Sequence, residues 1–173
     1  MIYKFKITIK QQLLMLNSLM IIVGIPLICY LYMFGFTKLH GLAIVAVVIV
    51  FSLMVLPVLI LHSQYYKQNR KSEFIVDKRN REIFYHSPKI NIESSFDNIR
   101  SLESYCSFAE KQAIYTFSDY RYFKIILLDG QEIIITSLMM YDIKNKMEEL
   151  LSIKAERHFG FLALIKKRNY AMP

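Results

Sequence analysis

Four histidines, two cysteines and fourteen carboxylates are the side chains of this 173-residue chain that could hold a metal or move a proton. His40, His62, His86 and His158 lie far apart, no HExxH or CxxC pair occurs, and no serine sits in a GxSxG turn. Metal-assisted and triad hydrolysis each need several such groups in a set pattern, so neither has a starting residue. The five glycines, at 24, 35, 41, 130 and 160, make no phosphate-cradling loop, which removes P-loop and dinucleotide chemistry. Glu93, Asp97, Glu103 and Asp119 are carboxylates that folding could bring together, although scattered acids ordinarily form a solvated face. Cys29 and Cys106 fall in different segments, so no disulfide framework or redox pair is expected. These residues predict a protein that is not an enzyme, with no catalytic residue, cofactor or metal site.

Two patterns suit binding instead. Tyr115, Phe117, Tyr120, Tyr122 and Phe123 interleave with Arg121 and Lys124, as a base-stacking strand would. No RNP1-like sequence or βαβ order accompanies them, so they read as core and sheet surface, and no nucleic-acid partner is expected. The second pattern is the basic turn Lys78, Arg79 and Arg81, which follows soon after a long apolar run. Beside an anionic leaflet each such residue contributes about 1 kcal/mol, enough to orient a tethered domain on lipid headgroups. The plain alternative is a solvated hairpin turn.

Charge is unevenly distributed along the chain. It is 54% hydrophobic and 21% charged, with a formal net charge of +8, yet residues 1–61 carry only Lys4, Lys6, Lys10 and Lys38 and no acid. Residues 13–36 and 41–61 are uncharged, with Lys38 between them, and each run matches the roughly 20 helical residues that cross a hydrocarbon core of about 30 Å. Only Thr37 to His40 join them, which predicts an antiparallel transmembrane hairpin over 13–61. Lys4, Lys6 and Lys10 before it, and Lys67, Arg70 and Lys71 after it, place both termini in the cytoplasm by the positive-inside rule. Pro26 and Pro57 each remove one helical amide, so both helices should be kinked or locally widened. No acidic or basic side chain lies within either run, which argues against a carrier or proton relay.

After the second run the period changes. SEFIVD and REIFYH flank a polar turn at Lys78 to Asn80, and KINIES, IRSLESYCSF and AIYTFSDY read as further strands. RYFKIILL and QEIIITSL flank Asp129-Gly130, the strongest local hairpin cue. Asp142 then stands ready to cap a helix with apolar positions Ile143, Met147, Leu150, Leu151 and Ile153. About seven strands and one closing helix over 66–157 suffice for a single core. The arm at 1–12 alternates Tyr3, Phe5, Ile7 and Ile9 with polar residues, a period of two that predicts a strand of the same domain. The basic tail at 158–173 contains most of RHFGFLALIKKR, which is too short to span and would lie in the headgroup region as a second anchor or continue the domain helix and pack on the sheet.

Two adjacent spans leading into such a domain resemble bacterial membrane proteins with pleckstrin-homology-like domains, particularly the YcxB-like kind. SFDNIRSLE resembles the segment joining that fold's two sheets, and YFKIILLDGQEIIITSL its last hairpin before the closing helix. MIYKFKITIK resembles the strand that precedes the helices. The resemblance implies a membrane α-helical hairpin carrying an α+β, mainly β domain: an open barrel of about seven strands capped by a C-terminal helix. It also implies that the basic turn occupies the first hairpin, where eukaryotic pleckstrin-homology domains clamp phosphoinositides. The expected function is a non-catalytic binding or scaffolding module at the cytoplasmic face of a bacterial inner membrane. Its expected partners are the bilayer itself, anionic phospholipid, and a protein partner or a homo-oligomer. An immunity or regulatory protein holding one partner, or a transporter or channel subunit acting as an oligomer, stand as alternatives.

Overall fold

The computed structural model describes residues 1–34, 41–111 and 115–165. The short connection Thr37 to His40 and the end of the basic tail, from residue 166, lie outside the described residues. Strand β1 spans Ile2–Phe5 and is followed by helices α1 (Ile9–Leu19) and α2 (Ile25–Phe34), then α3 (Gly41–Val50) and α4 (Leu56–Asn69). Seven more strands follow: β2 (Glu73–Asp77), β3 (Glu82–His86), β4 (Asn91–Ser95), β5 (Ile99–Ser107), β6 (Arg121–Leu127), β7 (Glu132–Thr136) and β8 (Glu156–Gly160). Helix α5 (Ile143–Leu151) separates the last two. The strands form two four-stranded sheets, in the orders β1-β2-β3-β4 and β7-β6-β5-β8. They pack as a sandwich with separate edges rather than closing a barrel.

Strand β1 pairs antiparallel with β2, Phe5 opposite Phe74 and Ile2 opposite Asp77, so the helices are inserted between two neighbouring strands of one sheet. The period-two pattern of the arm extends to Ile9, but the strand stops at Phe5. Thr8 and Gln11 make a reciprocal capping box that starts α1 at Ile9.

The helical runs continue from Ile9 to Phe34 and from Gly41 to Asn69, each interrupted by one wide turn. These turns are π-helical, at Met20–Gly24 and Phe51–Val55, and each ends two residues before a proline. Pro26 and Pro57 lack the N–H that would reach the carbonyls of Ile22 and Leu53, and their rings crowd those carbonyls. The helix relieves this by shifting to i−5 bonds, Ile25 to Met20 and Leu56 to Phe51. Among the described residues one helix, Val48–Asn69, is long and apolar enough to cross a membrane by length and composition.

Two cores lie on the two sides of sheet β7-β6-β5-β8. Between the sheets pack Phe74, Val76, Ile83, Leu102, Phe123, Ile125, Ile133 and Ile135, closed at one end by Ile143, Met147, Leu150 and Leu151 of α5. Outside that sheet, a stripe on α4 made by Val58, Leu61 and Tyr65 meets Met15, Phe117, Tyr120, Tyr122, Leu138 and Ile165. The spacing of the stripe is helical, and Asn69 extends it one turn further by donating to the carbonyl of Ile134 at 2.9 Å.

Three expectations are corrected. The described part of AIYTFSDY, from Tyr115 on, is not a strand: residues 115–119 form bends and turns, because Thr116, Phe117 and Tyr120 are buried against helix residues rather than paired in a ladder. The seventh strand of the domain after the helices is β8, which lies parallel to β5 and uses residues assigned to the tail. The tail therefore neither continues α5 nor begins at 158 as a separate segment. Helix α5 ends at Ser152, whose left-handed backbone (φ 55°) turns the chain back along the sheet. Asp142 precedes α5 as expected, but its carboxylate accepts from the Asn145 side chain at 3.0 Å and caps no backbone amide.

Removing residues 2–5 is expected to lower the melting temperature and to strip amide protection from β2. The deletion bares a sheet edge and takes Phe5 from Phe74, whose rings stack at 6.4 Å. Hydrogen exchange and thermal melting of the full chain with and without the arm check this; unchanged protection in β2 would mean that the arm contributes nothing.

Candidate functional site

Strands β1 and β2 have their helix-facing ends at Phe5 and Glu73 and their far ends at Ile2 and Asp77. The basic turn therefore lies at the end of the sheet away from the helices, up to about 16 Å along a five-residue strand from the end of α4. Asp77 shapes it: one carboxylate oxygen accepts from the backbone amides of Arg79 (2.9 Å) and Asn80 (3.3 Å), the other from the Asn80 side chain (3.0 Å). Arg81 adopts a left-handed backbone, φ 56°, to leave the turn. Lys78 and Arg79 are exposed, whereas Arg81 pairs with Asp97 at 3.1 Å and lies 5.6 Å from the centre of the Phe96 ring. This turn is the second connection of its sheet. The first, between β1 and β2, is the helical insertion itself, so the position assigned to the turn from the resemblance is corrected by one strand.

Beyond Asp97 a groove of about 320 Å³ opens between β4 and the β6–β7 turn, lined by Asn91, Ile92, Glu93, Ser94, Asn98, Leu127, Leu128, Asp129 and Gln131. Its lining is mostly polar, and the charged groups in it are the carboxylates of Glu93 and Asp129. Of the four acids singled out in the sequence, Glu93 lines this groove and Asp97 pairs with Arg81. Glu103 accepts from the Tyr105 hydroxyl at 2.7 Å on the other sheet, and Asp119 is exposed beside Tyr120. They do not converge. Among the described residues no three His, Cys, Asp or Glu side chains are placed to hold a metal.

No sequence pattern announces the buried ionic knot that the fold assembles. Glu110 receives Arg121 at 3.0 Å and Lys144 at 2.6 Å, tying the 3-10 turn Phe108–Lys111 to β6 and α5. Burial alone would raise the Glu110 carboxyl, but the hydrogen bond from Lys144 and the charge of Arg121 outweigh it and hold the group at about 2. Cys106 is pushed up to about 11, first by burial and then by Glu110, which makes it an inert packed thiol. Along the same sheet Tyr122, Tyr105 and His158 stack across three strands, at 4.7 and 4.8 Å between neighbouring rings. The aromatic series that could have stacked bases is thus divided between two cores, with Phe123 between the sheets and Phe117, Tyr120 and Tyr122 under α4.

Two sheets, with a helix closing the core between them and strands in simple antiparallel succession through β4, form a sandwich. A PH domain family model matches residues 2–146, from β1 through the helical insertion and into α5. The chain belongs to the PH domain family. No curated protein and no solved structure matches it. The match begins within β1, so the strand before the helices is part of the PH domain match, together with β2 to β7 after them.

Glu110 gives a test. A carboxyl held at about 2 against an ordinary 4.5 stabilises the fold fully above about 4.5, and that contribution fades as the pH falls from there through about 2. Glu110→Gln should lose about 3–5 kcal/mol at neutral pH by leaving buried Arg121 without its counter-charge, and should show a shallower acid dependence than the parent. Thermal melts followed by circular dichroism across that pH range measure both effects.

Proposed function

We propose that this PH domain is a membrane-anchored, non-catalytic binding or scaffolding module that presents its helix-distal end to a protein partner. The observation that carries the reading is the insertion of the uncharged helical runs between β1 and β2, which ties the domain to its anchor at two adjacent points of one sheet. Two spans, cytoplasmic termini and a place with the bacterial YcxB-like kind are part of the proposal. They are supported by the uncharged runs at 13–36 and 41–61 and by the basic residues that flank them.

The choice of partner follows from charge and distance. Lys78 and Arg79 are exposed at the far end of the sheet, a groove carrying Glu93 and Asp129 runs along the edge strand β4 beside it, and Arg81 pairs with Asp97 at the surface. A mixed surface of this kind suits complementary side chains, whereas an anionic headgroup would meet carboxylates. Lipid binding at Lys78, Arg79 and Arg81 is the second reading, favoured only by the high local concentration of headgroups around a tethered domain.

Reporter fusions test the anchor: alkaline phosphatase joined after Pro173 should be inactive and active when placed between Thr37 and His40, and the reverse would overturn the topology. For the partner, the full chain purified in mild detergent should retain a stoichiometric protein. Lys78→Glu with Arg79→Glu should release it while melting temperature and bound phospholipid stay unchanged. Loss of anionic phospholipid with no protein released would favour the headgroup reading instead.

A further inference from the structure

The hydroxyl of Thr116 donates to the carbonyl of Met54 at 2.9 Å. Met54 lies inside the wide turn Phe51–Val55, in the middle of an uncharged helical run, so the segment before β6 reaches far up the helix from the domain. Thr116 is buried there, and Phe117 beside it packs with Val58 in the outer core. Phe117 contacts Phe161 at 6.1 Å between ring centres, and Phe161 contacts Phe108 at 5.6 Å. Phe161 is held by its backbone, whose carbonyl accepts from Ser107 at 2.9 Å, and the chain continues along α4 where the Ala163 carbonyl accepts from Tyr65 at 2.6 Å. Yet the Phe108 and Phe161 side chains are 53% and 65% exposed, with Leu164 at 41% beside them.

Helix length says what covers them. A hydrocarbon core of about 30 Å takes about 20 helical residues, which counted from Gly41 reach Ile60. The side of α4 away from the domain agrees, since Leu56, Leu59 and Ile60 are exposed while Pro57, Val58 and Leu61 are buried. Met54 is then about 9 Å inside the boundary, and the aromatic group fixed beside it sits at the depth where interfacial apolar residues dip about 5–10 Å into the acyl region. We infer that Phe108, Phe161 and Leu164 form a lip that inserts into the headgroup–acyl boundary of the same bilayer that holds the helices. The occupant of this surface is lipid, and the inference rests on the membrane-anchored reading above. The lip adds a third point of attachment beside the two ends of the insertion, and it sets the height of the domain above the bilayer.

The chain contains no tryptophan, so one introduced indole reports its own surroundings. Full-length Phe161→Trp, Phe108→Trp, Tyr32→Trp and Leu128→Trp variants are reconstituted in vesicles of phosphatidylglycerol and phosphatidylethanolamine, with and without bromine on the upper acyl chains. Tyr32 is 91% exposed in the apolar helix α2 and reports the anchor; Leu128, 63% exposed in the β6–β7 turn, reports the far end of the domain. Indole emission from positions 161, 108 and 32 should be largely lost to bromolipid, while emission from position 128 persists. Quenching at 32 with neither 161 nor 108 quenched overturns the lip and leaves the anchor standing. No quenching at 32 overturns the anchor and the lip with it, and quenching at 128 as well as 161 overturns a lip of defined position.

Discussion

The packing of one helical stripe on one sheet face is the contact on which the arrangement depends. Val58, Leu61 and Tyr65 of α4 lie fully buried against the outer face of β7-β6-β5-β8, with Tyr65 meeting Tyr120 and Tyr122 at 5.7 and 6.2 Å. Remove that face and the sheets would meet the helical insertion only at two strand ends; with it, one face of α4 belongs to a folded core. The hydrogen bonds along it run in a row, Gln64 exchanging two with Ile165, Tyr65 donating to Ala163 and Asn69 to Ile134. Each satisfies a polar group that burial beside an apolar helix would otherwise penalise by about 1–3 kcal/mol.

Pro57 contributes to the same contact. A regular helix keeps its carbonyls bonded to amides four residues on, and Pro57 disturbs that ladder inside an uncharged apolar run. The wide turn at Phe51–Val55 absorbs the fault, and within it the Met54 carbonyl takes the Thr116 hydroxyl. A local irregularity that the sequence announces is thus used as a docking point for a segment about sixty residues later.

Much of this was legible where the cause is local. Alternation revealed β2, β3, β6 and β7, Asp129-Gly130 marked their last hairpin, and the apolar spacing from Ile143 to Leu151 located α5. What escaped depends on distant partners. Tyr115 and Phe117 alternate with Thr116 and Ser118 as a strand would, but Thr116 and Ser118 are buried too, because a helix encloses this segment from outside the sheet. RHFG has no strand signature, and it becomes part of β8 only because α5 carries it back parallel to β5. The basic turn was found by its composition, and its Asp77 scaffold depends on contacts that composition does not announce. The Glu110 knot joins three elements through residues that look like ordinary surface charges in the sequence.

The separation of β1 from β2 also bears on how the molecule is made. Phe5 and Phe74 are neighbours in the finished sheet, yet everything from residue 6 to residue 73 is synthesised between them. The first strand is made before its partner strand, and that pairing waits until both apolar runs between them have folded. Closing so long an excursion in solution would be slow, because ends held by a flexible chain meet rarely. The intervening helices leave the two ends side by side in the finished fold, so completion of the sheet waits on them. Correct placement of the helices becomes a precondition for a closed domain edge, and a chain whose helices are misplaced displays an open strand that quality-control proteases can recognise.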